Sequence, residues 1–72
     1  MNDNELLQIF GLNLKFQRLK RKISQEQLAE ALSLSSVYIS NVEGGKHNIS
    51  LVNALKFCKY FGTSIENLII EK

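Results

Sequence analysis

Ser36, Val37, Ser40 and Asn41 stand together near the middle of a 72-residue chain, and the chemistry they share is hydrogen bonding at close range. If residues 36–43 form a helix with Ile39 and Val42 three apart on its inner side, these four side chains point the other way. A solvated helix face normally carries Lys and Glu; this one is short-chained and uncharged. Such a face can enter the major groove of a duplex. There Asn41 can bond adenine N6 and N7, Val37 can meet a thymine methyl, and the serines can donate or accept, each good pair discriminating by about 1–3 kcal/mol.

Other reactive residues offer less. Cys58 is the single cysteine, so no internal disulfide forms, and its place on an apolar stripe reads as core. His47 is the single histidine, has no companion ligands at metal spacing and lacks a positioned nucleophile or carboxylate. No enzyme activity, cofactor, metal or small-molecule ligand is expected. Phe57, Tyr60 and Phe61 read as core or subunit contacts before they read as stacking platforms for bases.

Five helical segments must position these residues, and short polar breaks separate them. Leu7, Phe10, Leu14 and Arg18 recur at helical spacing in the first, from about Glu5 to Arg21, with Gly11 inside it as a mild weakness. Ser24-Gln25-Glu26-Gln27 is a capping box opening the second, whose buried face is expected to be Leu28, Ala29 and Leu32. Ser35 caps a third helix, Ser36 to Glu43, which Gly44-Gly45 ends. Ser50 caps a fourth that Gly62 stops, with Leu51, Ala54, Leu55 and Cys58 expected on its inner side. Ser64 opens a short fifth containing Ile65, Leu68, Ile69 and Ile70. An all-α, compact five-helix domain follows, single over 1–72. The second and third helices, about 25–44, fit a helix-turn-helix in which small Ala29 sits where the two approach.

From Phe10 to Ile69 the chain resembles the phage-repressor (Xre/Cro) family of helix-turn-helix DNA-binding proteins. The matching segments are Arg18, Ser24-Gln25-Glu26-Gln27-Leu28-Ala29, Tyr38-Ile39-Ser40, Val42-Glu43-Gly44-Gly45-Lys46 and Leu55 to Gly62. Phe10-Gly11, Asn13-Leu14-Lys15, Tyr38-Ile39-Ser40 and Asn48-Ile49-Ser50-Leu51 are similar to controller proteins of restriction–modification systems. The resemblance implies a base-reading stretch at Ser35, Ser36, Val37, Ser40 and Asn41, and backbone contacts from Gln25, Tyr38, Lys46 and Asn48. It also implies a buried structural ion pair between Arg18 and Glu43. Lys22 and Ser33 stand where the family usually has glycine, so those turns adopt other angles or carry left-handed strain of about 1 kcal/mol or more. Ser36 replaces an arginine common in controllers, so their operator does not transfer.

Net charge is only +2, a weak argument for a polyanion partner, but residues 15–22 concentrate five cations: Lys15, Arg18, Lys20, Arg21 and Lys22. Arg18 is read as turned inward and the rest as outward charge. A chain this short buries only about 60% of its unfolded surface, which favours a homodimer. The apolar tail points to a dimerisation region about 57–72, with Phe61, Ile65, Leu68, Ile69 and Ile70 at the interface. No export signal or membrane span is expected and the compartment is read as cytoplasmic. The resulting expectation is a transcriptional regulator binding double-stranded DNA as a homodimer on a palindromic operator. The alternative is an antitoxin-like module that uses the same fold to bind a partner protein.

Overall fold

Side-chain oxygens open every helix of this chain, as a computed structural model describing residues 2–70 shows. The elements are α1 (Asp3–Lys20), α2 (Gln25–Leu32), α3 (Ser36–Glu43), α4 (Leu51–Phe61) and α5 (Ile65–Leu68), and no strand occurs among the described residues. Helix α1 begins two residues before the expected Glu5 because the Asn2 side chain accepts from the Glu5 amide at 2.8 Å. The capping box of α2 is complete. Ser24 Oγ accepts from the Gln27 N–H at 3.0 Å, and Gln27 Oε1 from the Ser24 N–H at 2.7 Å. Ser35, Ser50 and Ser64 cap α3, α4 and α5 in turn.

Two turns use left-handed residues other than glycine: Lys22 has φ 57° and Ser33 φ 56°. The strained branch of the expectation is therefore the one the chain adopts. Gly11, a weakness from propensity alone, has a packing role. A Cβ there would lie 2.2 Å from the Val42 carbonyl oxygen and 2.7 Å from that of Glu43, so only glycine lets α1 rest on the end of α3.

The core gathers Phe10 and Leu14 from α1, Leu28 and Ala29 from α2, and Ile39 and Val42 from α3. Ala54, Phe57, Cys58 and Phe61 of α4 and Leu68 of α5 complete it, with Phe10 and Phe57 meeting edge to face. Asn13, buried on α1, donates to the carbonyls of Leu68 and Ile70, each at 2.9 Å, and so fastens the end of α5 to α1.

Several expectations change here. Leu51 and Leu55 do not face inward: they are 72% and 50% exposed, because Phe57 and Phe61 rotate α4 so that the stripe 54, 57, 58, 61 is buried instead. Leu32 is only half-buried. Phe61 and Leu68, expected at a subunit interface, are 4% and 1% exposed, so the core of the single chain already takes up these two side chains.

Candidate nucleic-acid interface

Helices α2 and α3 pack through Leu28, Ala29, Ile39 and Val42, all nearly inaccessible, which fixes how α3 presents its other side. That side carries Val37, 68% exposed, with Ser40 exposed and Ser36 and Asn41 half-buried. Ser35 Oγ is occupied as an acceptor for the Tyr38 N–H at 3.0 Å, which leaves its O–H to donate outward. The five positions expected to read bases thus form one stretch at the start and along the outer side of α3.

Beneath it lies the ion pair. Arg18 Nε and Nη2 donate to the two Glu43 carboxylate oxygens at 2.7 and 3.0 Å, while Nη1 donates to the Ile23 carbonyl at 2.9 Å. The two side chains are 9% and 2% exposed. The hydrogen bond to Glu43 raises the Arg18 pKa above its already high usual value, outweighing the opposing effect of burial. Gln25 joins the network: its Nε2 donates to Glu43 Oε1 at 3.1 Å. One amide hydrogen and the side-chain oxygen of Gln25 are left at the N-terminus of α2, where unpaired backbone N–H groups favour an anion such as phosphate. Glu43 therefore both neutralises Arg18 and orients Gln25.

Tyr38 is braced from two sides. Its hydroxyl accepts from Asn53 Nδ2 at 3.0 Å, and its ring stacks on His47 with centroids 6.4 Å apart at 19°. The phenolic O–H remains able to donate. Asn53 and His47 were not legible as supports, since neither lies at a spacing from Tyr38 that local sequence can register. Lys46 and Asn48 are exposed in the loop after α3, and the Lys46 N–H donates to the Asn41 carbonyl at 2.9 Å, which holds the loop against the helix.

A helix-turn-helix family model matches residues 14–68, a span that contains every group just described. The chain belongs to the helix-turn-helix family. As a member it is a DNA-binding transcriptional regulator. This helix-turn-helix protein is 39% identical to the control protein C.MunI of a Mycoplasma species over all of its own length and 99% of that protein. It is 37% identical to control protein C.BamHI of Bacillus amyloliquefaciens over 92% of this chain and 83% of the other. Among solved structures it resembles the restriction-modification controller protein C.AhdI of Aeromonas hydrophila, with a TM-score of 0.79 and 37% identity, covering 86% of this chain and 94% of that one.

The remaining candidates take plain places. Cys58 is buried, and burial raises its thiol pKa. Among the described residues no group of three or more His, Cys, Asp or Glu could hold a metal ion, and no helix is long and apolar enough to cross a membrane. Arg21 is committed to the Phe61 carbonyl at 2.8 Å and to the Phe61 ring.

Proposed function

We propose that the chain acts in the cytoplasm as a homodimer on a palindromic operator, controlling the genes of a restriction–modification system. The observation that carries DNA reading is the outward face of α3, with Val37 68% exposed at its centre and hydrogen-bonding residues around it. Ser35, Ser36, Val37, Ser40 and Asn41 read base edges. Gln25, Tyr38, Lys46 and Asn48 grip the phosphate backbone and set the register. The controller reading rests on the similarity to C.MunI, C.BamHI and C.AhdI.

The dimer surface in this proposal lies on α4. Leu51, Val52 and Leu55 are 72%, 65% and 50% exposed, a concentration of apolar surface on a helix that follows directly from the 44–50 loop. For such a dimer to span two half-sites about 34 Å apart, the two-fold axis through this face must leave both α3 helices on one side. Ile65 and Ile69 of the tail are half-buried and add what surface they retain. Hydroxyl-radical footprinting on a duplex selected from a random pool tests the proposal. Two protected, symmetry-related patches one helical turn apart support it; a single patch, or none above random duplex, overturns it.

A further inference from the structure

We infer that the outer side of α1 is a second self-association surface, on which another copy of this chain docks with its own α1 antiparallel. Leu12, Phe16 and Leu19 are 66%, 49% and 54% exposed and lie on one side of the helix at spacings of four and three residues. None of them belongs to the core, to the DNA-reading stretch or to the α4 face. Ile70 is also 51% exposed, and its carbonyl accepts from Asn13 of the same helix as the ridge.

The charges select the occupant. Glu5 lies seven residues before Leu12, on the same side of the helix and at the acidic end of the ridge. Lys20, whose ammonium sits 5.6 Å from the Phe16 ring centroid, marks its other end, and Lys15 flanks the middle. A ridge acidic at one end, apolar in the middle and basic at the other is complementary to itself when turned end for end. With a two-fold axis near Leu12, Glu5 of each copy meets Lys20 of the other, and Leu12 and Phe16 close the centre. A wholly acidic or wholly basic partner would match only half of it.

The ridge offers a patch of a few hundred Å², well under the ~800 Å² per partner of a standard interface. It is therefore a weak contact, formed at high protein concentration or between dimers brought close by other means. The α4 dimer and this contact are separate steps, so the full chain shows a dimer followed by a larger assembly.

Sedimentation equilibrium across a wide concentration range tests the inference, with circular dichroism melts confirming that each variant is folded. Phe16→Glu removes the second step. Glu5→Lys or Lys20→Glu alone weakens it by about 5- to 20-fold, because each change disrupts two symmetry-related ion pairs. The chain carrying both reversals regains association to within about two-fold of the original, as re-formed pairs of comparable strength require. Val52→Glu with Leu55→Glu removes the α4 step and leaves the α1 step intact. A second step absent at millimolar concentration, or one that the double charge reversal does not restore, overturns the inference. If Val52→Glu with Leu55→Glu changes nothing while Phe16→Glu yields a monomer, the α4 dimer fails and the α1 contact stands.

Discussion

Glu43→Ala removes a carboxylate that takes three hydrogen bonds, two from Arg18 and one from Gln25. The guanidinium left behind is 9% exposed and keeps its hydrogen bond to the Ile23 carbonyl, with no carboxylate bonded to it. Stranding one member of a buried pair costs about 3–5 kcal/mol, whereas a chain of this length has about 4–11 kcal/mol in total at ordinary stability per residue. The melting temperature should accordingly fall by about 15–30 °C, at the several degrees per kcal/mol expected of a small domain. Replacing both partners, Arg18→Met with Glu43→Leu, leaves no stranded charge and should return stability to within about 1 kcal/mol or improve it. Gln25 has then lost the acceptor that aims it, so the stable double variant should bind operator about 2- to 10-fold more weakly, the worth of one hydrogen bond. Urea denaturation followed at 222 nm and a fluorescence-anisotropy titration read the two effects. A loss under about 1 kcal/mol for Glu43→Ala, the value of an exposed pair, would refute the reasoning.

Three further outcomes follow from the same geometry. Asn41→Ala should relax base preference by about 1–3 kcal/mol at one operator position while leaving the thermal melt nearly unchanged, which a binding screen over single-base operator variants checks. Lys22→Gly and Ser33→Gly relieve left-handed strain of about 1–2 kcal/mol against a glycine entropy cost of about 0.5–1, so each should raise stability by about 0.5–1 kcal/mol in urea titrations; a loss would contradict the strain. Burial raises the Cys58 pKa above its usual 9.0, so the folded state keeps the thiol neutral. Its contribution is full below that value and declines as pH rises toward the folded pKa; stability should fall in the alkaline range more for the parent than for Cys58→Ala, and native Cys58 should react with a disulfide reagent only as fast as the chain opens.

Caps and turns were legible because their signals are local. Ser24 and Gln27 specify the start of α2 within four residues, Ser35 and Gly44-Gly45 bracket α3, and Ser50 and Gly62 bracket α4. The outward stretch at 36–41 was legible for a similar reason, since Ile39 and Val42, three apart, mark the inner side of that helix. The phase of α4 was not. Apolar residues occupy nearly all its sides, from Leu51 and Val52 to Phe57 and Tyr60, so periodicity cannot choose a face. Packing chose it, burying Phe57 completely and exposing Leu51. Composition marked Phe61 and Leu68 as surplus apolar surface, but α4 and α5 bury both within the chain. Gly11 was read as a mild weakness of the first helix and Asn13 had no structural role of its own, whereas each marks a contact more than 25 residues away in sequence: Asn13 with the end of α5, Gly11 with the end of α3. Long-range partners of this kind leave no trace in local spacing.

The claim on which everything turns is that the short-chained side of α3 meets the nucleic acid. Titrating isotope-labelled protein with its selected duplex and following amide chemical shifts residue by residue tests this directly. The largest changes should fall on Ser36 to Asn41, Gln25 and the Lys46 to Asn48 loop, while Leu12 to Leu19 stay in place. Shifts concentrated on α1, or spread evenly over the surface with residues 36–41 unmoved, would contradict it.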